Sequence, residues 1–241
     1  MMAASWLLLL LCGFLAATVS GAAGFGGALL LLPVLVLVVG GKSAVPILTI
    51  AQLLGNASRA GFGWREIRWR PALLFSFGAV PACILGAQVF VGLESTAVLH
   101  LVGVFLLAVV ALRHTAFGAR RVPEWLLSPA EVAVGFVSAI AGSAGPLGAA
   151  VFLGLKLPAQ AYVASEAVTA LLMHLTKSIV YGRYAAMSVS DGLCGLLLGN
   201  SLVAGSWTGR RVIARLPERG FALLVEALLA VSAVVLIIGG R

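Results

Sequence analysis

Charged residues are scarce in this sequence, making up 10% of its 241 positions, with eight acids against sixteen bases. An ordinary soluble domain is about one-quarter charged, so a chain this poor in charge and 61% hydrophobic is not built for a water-facing surface. The cysteines are few as well. Cys12, Cys83 and Cys194 each stand alone in an apolar stretch, which excludes a disulfide framework, a redox pair or a thiolate metal site. They read as small core residues. No phosphate loop, dinucleotide fingerprint or metal-spaced cluster of His, Cys and acids occurs, so neither a cofactor nor a metal is expected. The net charge of +8 would suggest nucleic acid in a soluble protein. Among membrane spans it marks the loops that stay in the cytoplasm, and no nucleic-acid partner is expected.

What is present is apolar sequence. Mean hydropathy is +1.12, and long apolar runs recur from Ser5 to Ile238. A span needs roughly 20 apolar residues, so the chain has room for about eight. The expected fold is an all-α, polytopic membrane protein embedded in lipid. Ser5–Thr18 resembles the apolar core of a signal peptide, but no Lys or Arg precedes it and it runs on into more membrane sequence, so it reads as a first span. The expected segments are Ser5–Ser20, Ala28–Val39, Ser43–Phe62, Ala72–Val91 and Thr96–Leu112. After a polar loop, His114–Pro123, come Ala130–Ala141, Pro146–Leu155, Ala159–Gly182, Ser188–Thr208 and Phe221–Ile238.

The sequence is written twice. Residues 19–27 read Val-Ser-Gly-Ala-Ala-Gly-Phe-Gly-Gly and residues 137–145 read Val-Ser-Ala-Ile-Ala-Gly-Ser-Ala-Gly, with five of nine positions identical at an offset of 118. The register continues without a gap: Leu53-Leu54 maps to Leu171-Leu172, Arg59 to Lys177 and Arg65 to Arg183. Two repeats are therefore expected, residues 1–118 and 119–241, each opening with a glycine-broken segment. Ser5–Val39 as one helix would be about 52 Å long, well over the ~30 Å hydrocarbon core. If each broken segment is a hairpin, eleven Lys or Arg of the loops share one side against three (Lys42, Arg183, Arg241); a single crossing would split them eight to six. The positive-inside bias favours the hairpin, and three further crossings per half then give an inverted repeat. Paired, interrupted membrane helices of this kind are a pointer to a secondary transporter.

Gly24, Gly26 and Gly27, with Gly142 and Gly145, permit backbone turns that other residues resist. A helix restarting after such a break presents free N–H groups and a positive dipole end, an anion site without a charged side chain. Helix packing by small residues is the alternative use of the same glycines. Within Ser43–Phe62, Thr49, Gln52, Asn56 and Arg59 fall within about 80° of one face. In the second half Glu166, His174 and Lys177 share a similar arc, with Thr169 and Tyr181 at its margins. Gln52, Asn56 and His174 are candidates to line an anion path, Arg59 and Lys177 to attract the anion, and Glu166 to couple protons, with Glu226 a weaker rival. Because Arg59 and Lys177 lie near helix ends, snorkelling to the headgroups is the competing reading. Ser143 sits among glycines but lacks the spacing of a nucleophile elbow, and its repeat partner is Phe25, so no catalytic residue is expected.

Gly24-Phe25-Gly26-Gly27 followed by Pro33, its partner Gly142-Ser143-Ala144-Gly145-Pro146, and a polar helix running into a basic hairpin resemble the TauE/SafE sulfite exporter family. That hairpin runs from Asn56-Ala57-Ser58-Arg59 to Trp64-Arg65-Glu66-Ile67-Arg68-Trp69, echoed by Lys177-Ser178-Ile179-Val180-Tyr181-Gly182-Arg183. The resemblance covers nearly the whole chain, departing from the glycine pattern where Ala144 replaces Gly26. It implies a multi-pass transporter of sulfur-containing anions, such as sulfite or sulfonates, in a bacterial inner membrane. A passive anion channel on the same scaffold, or a membrane-embedded enzyme or accessory subunit, is the alternative. Only a transporter would accumulate its anion against a gradient.

Overall fold

The computed structural model describes residues 2–23, 27–113, 124–155 and 157–212. Among these there is no strand. The helices are α1 (Met2–Ala23), α2 (Gly27–Val39), α3 (Gly41–Phe62), α4 (Trp69–Gly92), α5 (Ser95–Arg113), α6 (Glu124–Ile140), α7 (Gly145–Gly154), α8 (Ala159–Arg183) and α9 (Val189–Val212), with a 3₁₀ turn at Trp64–Glu66. Each expected segment up to Thr208 corresponds to one of these helices. The segment Phe221–Ile238, the loop His114–Pro123, Gly24, Gly26 and Glu226 lie outside the described residues.

Two helices, Trp69–Gly92 and Gln160–Arg183, are long and apolar enough to cross a membrane, and shorter apolar helices accompany them at Ser5–Gly21, Gly27–Val39 and Pro129–Ile140. Outward-facing leucines and phenylalanines such as Leu7, Leu11, Leu73, Phe77 and Leu85 are exposed, the lipid-facing pattern of a polytopic bundle. The chain is an all-helical polytopic membrane protein. α3 is less apolar, and its buried face carries Thr49, Gln52, Asn56 and Arg59.

The packing repeats itself between the halves. α1 lies on α9 and α6 on α4; α3 packs on α9 and α8 on α4; α3 and α8 pack on each other. Exchanging each helix of these pairs for the one 118 residues away returns the same pairs. Glycines bring these pairs together. Gly13 faces Leu198 and Ser201 while Gly21 faces Ser206 and Gly209, so α1 and α9 run parallel; Gly78 faces Glu131 while Gly86 faces Phe136 and Ala139, so α4 and α6 do too. Lipid gives no hydrophobic drive between helices, and small residues allow the close approach that replaces it.

Contacts at the helix ends sort the faces. Arg210 donates to Phe62 O and Arg68 N–H donates to Ser165 Oγ at 2.8 Å, which puts the end of α3, the start of α4, the start of α8 and the end of α9 together. That face carries Arg65, Arg68, Arg70, Arg210 and Arg211 with exposed Trp64, Trp69 and Trp207. Arg211 lies over the Trp207 ring at 3.9 Å. Tryptophans and basic residues gathered at helix ends mark a membrane–water interface. At the other face Lys42 Nζ donates to Phe90 O (3.5 Å) and Val91 O (3.0 Å), closing the end of α4. Its positive charge suits a helix C-terminus.

Both glycine-broken segments fold back. Gly27 abuts Ala16 O and Ser20, so α2 returns along α1, and α3 then starts after Gly40 at φ +82°. The α1–α2 hairpin leaves from and returns to the weakly charged face. Since α6 parallels α4 and α8 starts at the basic face, the α6–α7 hairpin points the opposite way. α2 and α7, with 13 and 10 residues, are about 20 and 15 Å long, too short to cross alone.

The α4–α6 seam has no room for a methyl group at Gly135, where a Cβ would collide with the Ala79 carbonyl; at Gly182 it would meet nothing within 4 Å. Gly135→Ala is expected to destabilise the detergent-solubilised protein by about 1–3 kcal/mol, read as a lowered thermal midpoint, whereas Gly182→Ala leaves the midpoint unchanged or slightly higher.

Candidate functional site

The polar faces of α3 and α8 meet in the middle of the bundle, flanked by the two hairpins. They enclose a cavity of about 30 Å³, room for roughly two water molecules. Its walls come from matched positions of the two halves: Ser20 and Ser138, Gly27 and Gly145, Asn56 and His174, Gln52 and Ala170. Arg59, Glu166, Thr169 and Ser143 complete the polar part, and Phe75, Val134 and Met173 form an apolar wall. α2 and α7 both begin at this cavity, so two helix N-termini with their positive dipole ends face it.

Arg59 enters from α3 and is 8% exposed. Its Nη1 donates to Ser20 O at 3.4 Å, its Nη2 donates to Asn56 Oδ1, and Glu166 Oε2 lies 3.7 Å from Nη2. Lys177, its partner in the second repeat, is fully buried. Its ammonium donates to Ser138 O (3.1 Å), Ser138 Oγ (3.3 Å) and Gly142 O (3.0 Å), which uses all three of its hydrogens. Each cation thus bonds the carbonyl 39 residues upstream of itself, at the end of the helix that breaks. Carbonyls in the last turn of a helix lack helical donors, and a cation there supplies both a hydrogen bond and a favourable charge. Burial of this degree rules out snorkelling for either side chain. A central Lys or Arg costs about 2.5–3.5 kcal/mol on insertion scales, and here carbonyl oxygens and, for Arg59, the Glu166 carboxylate offset it.

The expected residues therefore divide. Gly27, Gln52, Asn56, Arg59, Gly145, Glu166 and His174 come together around the cavity. Gly142 and Lys177 stand behind it: Gly142 adopts φ +78°, a left-handed conformation that suits glycine, and its carbonyl is held by Lys177. Gly24 and Gly26 lie outside the described residues. Two buried atoms in the cavity wall, Glu166 Oε2 and His174 Nδ1, have no hydrogen-bond partner. The cavity wall thus combines a guanidinium, two helix N-termini and these two unsatisfied groups. Ser143 Oγ accepts from Gly145 N–H at 3.3 Å, and His174 Nδ1 makes no bond to it, so the serine has no base attached.

Ser20 and Ser138 were missed as site residues in the sequence, although they are identical within the repeat and each lies 39 residues before a buried cation. Tyr181, expected at a margin, donates through Oη to Ala139 O at 2.5 Å and so fastens α6 beside Lys177. Lys177→Met leaves the carbonyls of Ser138 and Gly142 without their donor, at about 1–3 kcal/mol for each unsatisfied group. The expected result is a thermal midpoint below that of Lys177→Arg, which keeps the charge.

A family model described as sulfite exporter TauE/SafE matches residues 9–236, nearly the whole chain. Neither the curated proteins nor the solved structures returned a match. The family is one of membrane anion exporters, which fits a lipid-embedded protein acting on a small molecule. A polytopic bundle of apolar helices agrees with that match over nearly the whole length: the chain belongs to the TauE/SafE sulfite exporter family.

Proposed function

We propose that this protein is a secondary transporter of a small sulfur-containing anion, of the sulfite or organosulfonate type, working in a bacterial inner membrane. The observation that carries the reading is the cavity built from matched positions of both halves, with Arg59 in its wall and the starts of α2 and α7 facing it. Residues 1–118 and 119–241 act as two inverted units. Their hairpins, α1–α2 and α6–α7, hinge at Gly24, Gly26 and Gly27 and at Gly142 and Gly145. Arg59 binds the anion, Gln52, Asn56 and His174 line its path, Lys177 holds the second hinge from behind, and Glu166 is the coupling acid. Access alternates between the basic face and the opposite one as the hairpins move past α3 and α8.

A transporter fits better than an open channel because the cavity holds only about 30 Å³, and an oxyanion enters it only after helices part. Nor does an enzyme need two mirrored gates.

Counterflow of labelled sulfite in proteoliposomes tests the reading: saturable exchange and accumulation against a gradient are expected. In Arg59→Gln the loss of a charge-assisted hydrogen bond, about 1.5–3 kcal/mol, raises the half-saturating concentration roughly 10- to 100-fold. Non-saturable flux without counterflow would mark a channel instead.

A further inference from the structure

The cavity faces two buried cations of the bundle unequally. Lys177 has its three hydrogens committed to Ser138 and Gly142 oxygens and does not line the cavity. Arg59 lines it, opposed by an acid from another helix at ion-pair distance, and that acid's Oε2 makes no hydrogen bond. One positive charge can change partners there, and one negative charge already holds it.

The charged and titratable groups around Glu166 are few. Arg59 faces it from α3. Tyr162 and His174 lie on its own helix and are buried with it. Further along, α8 carries Lys177, beside Cys83 of α4. From the 3₁₀ turn, Arg65 and Glu66 are exposed at the surface, and Glu131 of α6 sits against Gly78 on the α4 seam. Cys12 of α1 is half-buried. No described acid other than Glu166 lines the cavity.

We propose that the site takes one monoanion together with one proton, by exchange of partners on Arg59. The incoming anion replaces the Glu166 carboxylate on the guanidinium. The released carboxylate, left buried without the guanidinium, accepts a proton at Oε2 and becomes a neutral carboxyl group. The proton comes from hydronium in the medium on the open face, so one O–H bond of hydronium breaks, leaving water, as the carboxyl O–H bond forms. Among the groups that line the cavity, Arg59 and Glu166 sum to zero charge before, and Arg59, the anion and protonated Glu166 sum to zero after, with Lys177 behind the wall unchanged throughout. A dianion would bring a second negative charge into a lining whose one cation, Arg59, is already matched, while the Lys177 ammonium stays committed to Ser138 and Gly142 oxygens behind the wall; that is strongly disfavoured. The site therefore selects alkanesulfonates and singly charged oxyanions such as hydrogen sulfite, and rejects sulfate, doubly charged sulfite and disulfonates. His174, whose Nδ1 is the other unsatisfied atom of the wall, is placed to hydrogen-bond the same anion. This inference rests on the transporter reading and adds charge selection and proton stoichiometry to it.

The test uses the full-length protein in proteoliposomes with two probes whose charge does not change between pH 5 and 9, methanesulfonate and 1,2-ethanedisulfonate, and a pH dye in the lumen. An inward methanesulfonate gradient is expected to acidify the lumen, and an acid-outside gradient of one pH unit to drive about tenfold accumulation, as 1:1 coupling requires. Ethanedisulfonate is expected to enter at least about tenfold more slowly and to leave the dye unmoved. In Glu166→Gln, uptake no longer responds to the pH gradient. Methanesulfonate uptake without acidification, disulfonate entry at a similar rate, or a glutamine variant still driven by acid overturns the proposal while the transporter stands, since sulfite counterflow is read in the same vesicles. Sulfite counterflow with no methanesulfonate entry likewise overturns it. Absence of every flux overturns the transport reading and the proposal with it.

Discussion

A helix that breaks inside lipid leaves its last carbonyls without donors, and no water is there to satisfy them. That constraint organises the middle of this protein. At the end of α6 the ammonium of Lys177 takes oxygens of Ser138 and Gly142, and Tyr181 takes the carbonyl of Ala139. At the end of α1 the guanidinium of Arg59 reaches Ser20 O. Because each donor comes from the helix that crosses beside the hairpin, α3 and α8 must be polar on their inner faces. The cavity lies where those two faces meet.

The frame around it is held by close packing of small residues. α1 against α9 and α4 against α6 are seams of glycine and serine in which backbone meets backbone. In lipid, where apolar surface gains nothing by hiding from its surroundings, such contact is the main source of adhesion between helices. The seams are parallel and related by the repeat, so they fix the orientation of the two hairpins and turn the start of α2 and the start of α7 toward one point.

The two halves have diverged where chemistry requires a difference. Arg59 pairs with Lys177, Asn56 with His174, Gly63 with Tyr181 and Leu48 with Glu166 across the repeat. The second hinge carries a hydroxyl and an ammonium as fasteners, while the first has glycine at the tyrosine position and a guanidinium shared with an acid. These differences place the ion pair of Arg59 and Glu166 on one side of the cavity and the carbonyl-bonded Lys177 on the other.

The sequence by itself determined the class and the order of the described helices, since hydropathy and the glycine breaks are local properties of the chain. It also determined that Gln52, Asn56 and Arg59 share one helical face, which needs only the 100° turn per residue. It could not say whether Arg59 and Lys177 reach for water or for carbonyls, because both are near helix ends and the choice depends on which oxygens stand opposite. Ser20 and Ser138 stayed silent for the same reason: a serine bonds locally in any helix, and only the crossing of α3 over α1 and α8 over α6 makes its carbonyl an acceptor for a cation. The Arg59–Glu166 pair joins residues over a hundred positions apart, and tertiary packing alone brought them together around one small cavity.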